Sequence, residues 1–590
     1  MILKALYDYY NRSGDLAPAG FEEKEIPFII VIDENGQLIN IEDRRIDKKR
    51  SQTFLVIKYS HTNAVTPLIW YDNLMYALNY IEPLFEKDQQ DPEKVKKQET
   101  AIEKANTKHL AFVAKCNALA KKYPSCKVFN AVTLFYKNDG IEQVKESPIW
   151  SEMTKKAGAN VSFLLKGYKT IAACIPELIN EIKKEPSSID ESMPYCLITG
   201  ERTNPVRTAT DTPILDSKNS AKLVSFNNDA FLSYGKKQCA NAPMSPSAES
   251  AFSTAIKTMS GKDSHNKFVV GTRTFLFWAS SDNEASQKAE EGLYNLLGYV
   301  EDESDDPNRR TEQVRKVFNS IYSGVLHTSS DDKFYFLGLA PNAARIAVVY
   351  WNESTLKDFA KRISDHFSDM DIVDSRKDKK PYYGLRQIMS AIALQGKASD
   401  VQPNLPEAVI KSIVQGIPYP YSLISACMKR IRAEQDVHIT LRITRAAIIK
   451  AYLNRINDNH QKIKVMIDKE NTNQGYLCGR LFATLEYLQE RSSNGLNSIR
   501  GRYMNAASAT PAAVFATILN LSVHHAEKLE KGGQIFFEQL KSEIIDKISA
   551  TGFPAHLSLQ DQGRFMVGYY QQRQEFYTKK EKTEENNVEQ

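Results

Sequence analysis

The chain has 590 residues, with 77 basic and 72 acidic side chains, so its formal net charge is only +5. This small excess identifies no partner by itself, and a hydrophobic content of 42% is ordinary for a globular protein. No apolar run approaches membrane-spanning length, which argues against an integral membrane protein. The length predicts several domains with separate cores.

The seven cysteines are scattered along the chain and form no C-x-x-C pair. Their odd number and irregular spacing argue against a disulfide framework and against a zinc site, and fit a reducing compartment. The opening sequence MILKALYDYYNRSGD has charged and polar side chains too early for a secretory signal. We therefore expect a cytoplasmic protein that binds no membrane.

The N-terminal elements are a short helix and several strands within residues 1–85. The runs IPFIIVI and QLINIED flank the turn sequence DENG and predict a β-hairpin, and TFLVIKY predicts another strand. Residues 92–122 carry an apolar stripe at helical spacing. The run KVFNAVTLFY predicts a strand, with the hairpin-like turn KNDG after it. A linker is predicted near residues 183–194.

The central elements begin with residues 195–282, a polar stretch whose regular apolar residues predict long ordered loops. It ends in the strand sequence NKFVVGTRTFLFWA. EDESDD, at 301–306, predicts a solvated acidic loop. FYFLGLAPNAARIAVVYW, at 334–351, predicts a hairpin whose aromatic and β-branched strands are joined by APNAAR. The following helix, STLKDFAKRISDHF, is expected to be capped by Ser354.

Strand patterns stop after about residue 380. Helices are predicted at 383–394, 405–415, 420–434, 440–457, 474–490, 512–528, 534–549 and 558–576. The fold class is therefore α+β, a mixed N-terminal α/β body with long loops and β-hairpins followed by an all-helical C-terminal bundle. The expected domains are 1–190, 191–380 and 381–577, with a frayed tail at 578–590.

Motifs for common enzyme chemistry do not occur in the sequence. It has no G-x-x-x-x-G-K-[ST] phosphate loop, no H-E-x-x-H and no G-x-S-x-G. We therefore expect neither catalysis nor a cofactor or metal. Two alternatives stay open, a metal-dependent nuclease that uses EDESDD and a purely architectural scaffold.

Basic residues are concentrated between Lys429 and Arg502, where 14 basic side chains stand against 7 acidic ones. Helices with such an excess can track a nucleic-acid backbone without reading its sequence. An ordinary amphipathic surface helix is the alternative. The candidate cations are Arg442, Arg445, Lys450, Arg455, Arg491, Arg500 and Arg502.

A second nucleic-acid signal is LVSFNNDAFLSYGKKQCANAP, where amides and lysines alternate with aromatic rings. Amides hydrogen-bond base edges, lysines contact phosphates and rings stack on bases. The alternative is that the rings are core and the polar side chains form caps and turns. The candidate residues are Asn227, Asn228, Lys236, Lys237 and Asn241.

Two N-terminal stretches are weaker candidates of the same kind. The basic sequence RRIDKKR contains Lys48, Lys49 and Arg50 and suits phosphate contact, and Asn73 lies among aromatic residues in WYDNLMY. Either stretch could equally be ordinary surface.

Several separated motifs together resemble one known family. They are MILKALYDYYNR, GFEEKEIPFIIVIDENGQL, CLITGERTNPV, LVSFNNDAFLSYGKKQCANAP, FYFLGLAPNAARIAVVYW and GYLCGRLFATLEYLQE. The chain is similar, from its first residue to about 577, to the large subunit of the type I-C CRISPR surveillance complex (Cascade). The loop at 207–222 departs from the pattern.

The resemblance implies a non-enzymatic, DNA-reading subunit of an RNA-guided antiviral complex. Guide RNA reads the target by base pairing in such complexes, and protein reads a short protospacer-adjacent motif, the PAM. The implied partners are the 5′ end of the guide RNA, double-stranded target DNA and its displaced strand, other Cascade subunits and a separate helicase–nuclease. The implied tasks are PAM recognition, opening of the duplex into an R-loop and recruitment of that nuclease.

The resemblance also suggests roles for the candidate residues. Asn73, the 227–241 residues and the 48–50 cluster would lie on the PAM side, and the cations after residue 429 would line a groove for the displaced strand. Asn342 and Arg345 would contact guide RNA or a neighbouring subunit, with a stabilised turn and an internal ion pair as the alternative. Met466 is a candidate internal start for a small helical subunit of 125 residues.

Overall fold

The computed structural model describes residues 2–47, 50–58, 65–85, 88–155, 158–176, 192–297, 307–375, 384–397, 400–434, 439–456, 462–493 and 499–578. The chain forms two compact units. The first comprises Met1–Pro213 with Asn219–Thr258, and the second comprises Ile214–Lys218 with Met259–Gln590. The predicted linker falls mostly outside the described residues, as do EDESDD and nearly all of the tail, and the three-domain division stays a prediction.

The first unit is built around a four-stranded mixed sheet. Its elements are α1 (Ile2–Arg12), β1 (Phe21–Glu25), β2 (Phe28–Ile32), β3 (Leu38–Asp43), β4 (Thr53–Ile57), β5 (Tyr71–Asn73), α2 (Leu74–Leu78), α3 (Pro92–Lys122), α4 (Lys127–Lys137), α5 (Gly140–Lys145), α6 (Trp150–Thr154), β6 (Asn160–Leu165) and α7 (Pro246–Ser260).

The strand order of this sheet is β3-β2-β6-β5, with β2 parallel to β6 and antiparallel to β3. All five residues of β2, FIIVI, are buried, as expected for a strand covered on both faces. The predicted β2–β3 hairpin is confirmed, and Asp33 fixes its turn by accepting hydrogen bonds from the backbone amides of Asn35 and Gln37. Strands β1 and β4 form a separate antiparallel pair.

The strand predicted for KVFNAVTLFY is wrong, because this segment is helix α4. Its buried residues include Val128, Phe129, Val132 and Phe135, a spacing that places them on one face of a helix. The ring of Phe129 stacks on Trp70 with centroids 4.4 Å apart. The helical period of burial thus overrides the strand-like composition. The KNDG segment accordingly connects two helices and is not a hairpin turn.

The second unit begins with an antiparallel four-stranded sheet in the order β10-β9-β8-β7. Its strands and helices are β7 (Lys267–Val270), β8 (Arg273–Ala279), α8 (Glu284–Leu297), α9 (Pro307–Ser323), β9 (Lys333–Asn342), β10 (Arg345–Thr355) and α10 (Leu356–Met370).

The predicted hairpin at 334–351 is confirmed as β9 and β10, joined by only two residues, Ala343 and Ala344. The ring of Phe334 stacks on Phe359 of α10 with centroids 4.0 Å apart, which ties the hairpin to the helical layer. The cap predicted for α10 is wrong by one residue. Ser354 is paired within the sheet, and Thr355 accepts a hydrogen bond from the Asp358 backbone amide.

The regular secondary structure of the described residues after Met370 is all helical, which confirms the α+β class. They are α11 (Leu385–Ile392), α12 (Asn404–Gln415), α13 (Tyr421–Ala433), α14 (Ile439–Arg455), α15 (Gln474–Ser493), α16 (Ile499–Ala509), α17 (Pro511–Ala526), α18 (Lys531–Ile545) and α19 (Leu559–Tyr577). Of these nine C-terminal helices, α16 alone was not predicted. In the first unit, α7 was not predicted either, because residues 195–282 were expected to form loops. In the portions of the chain with described structure, we find no helix with the length and apolarity required to cross a membrane.

Helices α15 and α19 pack unusually closely because glycines line their contact. A Cβ atom added at Gly479 would lie 2.0 Å from the carbonyl oxygen of Phe565, and one at Gly568 would lie 2.3 Å from that of Tyr476. Beside this contact, the fully buried Arg480 donates to Gln572 of α19. The GYLCGR sequence is therefore a packing motif of the helical region.

Candidate nucleic-acid interface

The first candidate surface is the 226–241 loop, which contains two short 3₁₀ turns, Asp229–Phe231 and Gln238–Asn241. Between them the backbone amide of Lys236 donates to the Ser233 carbonyl at 3.0 Å and closes a tight turn. Both central residues have positive φ, +52° at Tyr234 and +67° at Gly235, as in a type I′ turn.

Asn241 holds this turn in place. Its Oδ1 accepts from the Ser233 backbone amide at 2.9 Å, and its Nδ2 donates to the carbonyl oxygens of Lys236 and Gln238 at 3.1 and 3.0 Å. Both amide hydrogens are thus used inside the loop. The structure gives Asn241 the turn-forming role that was the alternative to base recognition.

The base of the loop is anchored and its tip is open. Cys239 is buried, and Arg207 donates from Nε to the Gln238 side chain at 2.9 Å. The candidates Asn227, Asn228, Lys236 and Lys237 are all exposed. The loop therefore presents two amides and two cations on one anchored backbone segment.

Asn73 lies at the end of β5 and caps α2. Its Oδ1 accepts hydrogen bonds from the backbone amides of Met75 and Tyr76 at 3.1 and 3.3 Å, as helix N-caps do. Arg50 is exposed and forms an ion pair with Asp47 at 2.7 Å. Lys48 and Lys49 lie outside the described residues.

Asn342 and Arg345 are directly opposite each other across the two-residue turn of the β9–β10 hairpin. The asparagine is exposed and the arginine is half-buried. The structure thus brings the two residues together, and their contact with RNA or a neighbouring subunit stays a prediction.

Arg445 is one of three candidate cations that are buried inside the helical region, with a side chain only 3% exposed. Its guanidinium lies 2.5 Å from Glu434 and also donates to the Ala391 carbonyl at 2.7 Å. This arginine therefore connects α14 to α11 and to the end of α13.

Lys450 and Arg455 are the other two, and both bind the end of α10. Lys450 donates to the carbonyl oxygens of Ser368 and Asp369, and Arg455 pairs with the Asp369 carboxylate at 2.5 Å. Burial lowers the pKa of Lys450. In this conformation neither side chain is available to a phosphate group.

The remaining cations are on or near the surface. Arg442, Arg491 and Arg502 are exposed, and Arg500 is half-buried. Arg442, Arg445 and Arg500 meet at a cleft of about 470 Å³ between α14, α15, α16 and α19. The other charged and aromatic residues of this cleft are Glu434, Glu486, Glu490, Arg573, Tyr569, Tyr570 and Tyr577.

The chemistry of the cleft combines cations with internal carboxylates. Arg573 lies 2.8 Å from Glu490, and Tyr569 donates its hydroxyl hydrogen to Glu486 at 2.5 Å. Burial raises the pKa of Tyr569, so this hydroxyl stays protonated at neutral pH. Sequence reasoning missed Arg573 because it lies 71 residues after Arg502, outside the basic stretch.

A comparison with family models matches residues 5–577 to the model described as CRISPR-associated protein (Cas_Csd1). The chain belongs to this CRISPR-associated family. Csd1 proteins are the large subunits of type I-C Cascade, and this is the family that the separated motifs resemble. The resemblance is therefore confirmed. A comparison with curated proteins found no match.

Met466, the candidate internal start, is 52% exposed and precedes α15. All of the close α15–α19 contact lies C-terminal to it.

Among the described residues of this Csd1-family chain, no group of three or more His, Cys, Asp or Glu side chains could hold a metal ion.

Proposed function

We propose that this CRISPR-associated chain is the DNA-recognition large subunit of a type I-C complex and acts in the cytoplasm. In this proposal it contacts the 5′ end of the guide RNA, recognises the PAM, helps to open the duplex and holds the displaced strand. It then recruits a separate helicase–nuclease, which does the cutting. The family match over residues 5–577 supports the CRISPR-associated role, and the geometry supports DNA recognition and strand contact as follows.

The observation that carries the DNA-recognition proposal is the 226–241 loop. Asn227 and Asn228 are exposed on the same anchored segment as Lys236 and Lys237. Amide side chains pair with base edges, and lysines position the duplex through its phosphates. An anchored loop presents such groups at a lower cost in conformational entropy than a mobile one.

The displaced-strand role is supported by the surface cations of the helical region. Arg442, Arg491 and Arg502 are exposed, and such side chains bind phosphates without sequence preference. Arg445, Lys450 and Arg455 serve instead as internal ties that position α14. We accordingly assign strand contact to the exposed cations and to Arg500 at the cleft.

Paired lysine substitutions test the loop. In the assembled, guide-loaded complex, Lys236→Ala/Lys237→Ala should weaken target-duplex binding for all flanking sequences and lower the salt slope by about 2, one for each lost phosphate contact. Lys96→Ala/Lys97→Ala on α3 is a matched control, because these lysines are also adjacent and exposed in the same unit. Equal salt slopes for the two double variants would contradict the proposal.

The alternative nuclease function needs a separate test. EDESDD, which would supply its carboxylates, lies outside the described residues. The purified chain should leave DNA intact in Mg²⁺ or Mn²⁺, and metal-dependent cleavage that is lost on neutralising those acids would establish the alternative.

A further inference from the structure

We propose that Tyr234 is a stacking residue, whose ring packs on an unpaired base of target DNA where the duplex opens. This inference rests on the proposed function and deepens it, because it names a side chain for the opening step. The proposed base and phosphate contacts use Asn227, Asn228 and the two lysines. They give no role to Tyr234 at the tip of the loop.

The first observation is exposure. Tyr234 is 96% exposed, whereas Tyr residues in folded proteins usually bury much of the ring. Phe231, two residues before the turn begins, is also 41% exposed. A ring this exposed contributes almost nothing to packing within its own unit. Stacking it on a base would therefore contribute its full stacking free energy to binding.

The second observation is backbone conformation. Tyr234 has φ +52°, a region that is unfavourable for bulky side chains and that Asn or Gly adopts more readily. The Lys236–Ser233 hydrogen bond and the three hydrogen bonds of Asn241 hold the turn in spite of this cost. Disfavoured conformations that the surrounding structure maintains are concentrated at functional sites.

The third observation selects the class of partner. Lys236 and Lys237 follow the ring and are exposed. Base stacking on an aromatic ring beside phosphate-binding cations is the usual design of single-stranded nucleic-acid sites. Protein interfaces are depleted in lysine and need about 800 Å² from each partner, which one ring on a turn does not supply. The surroundings therefore favour an unpaired base over a protein surface.

Two substitutions separate stacking from a structural role. Tyr234→Asn removes the ring and places a residue that tolerates positive φ in the turn, so the fold should be as stable as wild type or more stable. Tyr234→Phe keeps the ring and removes the hydroxyl. We expect the Phe variant to behave as wild type, because stacking needs only the ring face.

The probe is a target duplex with 2-aminopurine at the first position beside the flank, bound by the assembled, guide-loaded complex. Its fluorescence rises when the base unstacks from the duplex and is quenched again when the base stacks on a tyrosine ring. For wild type we expect flank-dependent opening, seen as permanganate oxidation of unpaired thymines beside the probe, while the 2-aminopurine itself stays quenched on Tyr234. In Tyr234→Asn the opened base should fluoresce brightly. For Tyr234→Asn we expect affinity for the closed duplex to fall about 5- to 150-fold, the range given by ~1–3 kcal/mol of stacking for one base. A duplex with a pre-opened mismatch bubble at this position should restore part of the affinity.

The outcomes are distinguishable. Wild-type affinity and opening in the Tyr234→Asn variant would overturn this inference and leave the proposed function intact. Loss of affinity in Tyr234→Phe equal to that in Tyr234→Asn would also overturn it, since the hydroxyl and not the ring face would then matter. If wild type itself shows no flank-dependent opening, the proposed function fails and this inference fails with it.

Discussion

Gly479→Ala should destabilise the helical region, because α15 and α19 are too close to admit a methyl group. The new Cβ would lie 2.0 Å from the carbonyl oxygen of Phe565 and 2.9 Å from the backbone nitrogen of Tyr569. Both neighbours are backbone atoms, so rotation of a side chain cannot relieve the overlap, and the helices must separate.

The magnitude follows from two opposing effects. Overpacking costs about 1–3 kcal/mol, and a contact of this kind with backbone belongs at the upper end of that range. Replacing glycine by alanine within a helix returns about 1 kcal/mol. We therefore expect the opening free energy of α15 and α19 to fall by about 2 kcal/mol, which makes their slowest amides exchange about 30-fold faster with solvent.

Hydrogen exchange resolved by peptide is the assay, because it reports on these two helices even if the two units unfold separately. Gly532→Ala on α18 is the matched control, since a Cβ atom at Gly532 meets nothing within 4 Å. It should leave exchange unchanged or slightly slower. If the amides of α15 and α19 exchange as slowly in Gly479→Ala as in the Gly532→Ala control, the close contact of the two helices does not exist.

Three further predictions concern single side chains. Asn73→Ala should cost about 1 kcal/mol of stability by removing the α2 cap, and Asn73→Ser should restore it; a changed flank preference in the Ser variant, which keeps the cap but lacks the amide, would assign base contact to the amide. Asn241→Ala should speed exchange of the Ser233 amide and weaken binding to all flanks equally; unchanged exchange would contradict its turn-forming role. Burial lowers the pKa of His109 below its ordinary value, so the unfolded chain binds the proton more readily. Stability of the first unit should therefore fall as pH drops below about 6.5 towards the folded-state pKa. In His109→Gln, the denaturant midpoint of the first unit should fall less between pH 7 and pH 5 than in wild type. An equal fall in the two proteins would contradict this assignment to His109.

Most of the fold could be predicted because burial in it follows simple periods. The α3 stripe and the eight predicted C-terminal helices repeat at helical spacing, and the DENG and APNAAR turns identify their hairpins. Helix α4 could not be distinguished from a strand, since its apolar, β-branched composition suits both structures. Its helical state depends on partners such as Trp70, which lies 59 residues before Phe129.

The candidate surface was harder to predict because exposure is set by distant residues. Arg442 and Arg445 are three residues apart, yet one is exposed and the other is paired with Glu434 inside the helical region. Arg455 is bound by Asp369, 86 residues away. The local sequence marks such residues as cationic and cannot show which ones face solvent.

The central claim is that the 226–241 loop reads the DNA beside the target. Selection of target duplexes with randomised flanking bases by the assembled, guide-loaded complex tests it most directly. The wild type should enrich a defined flank, Asn227→Ala/Asn228→Ala should lose that preference while keeping residual affinity, and the exposed-amide control Asn40→Ala on β3 should keep it. An unchanged flank preference in the double variant would contradict the claim.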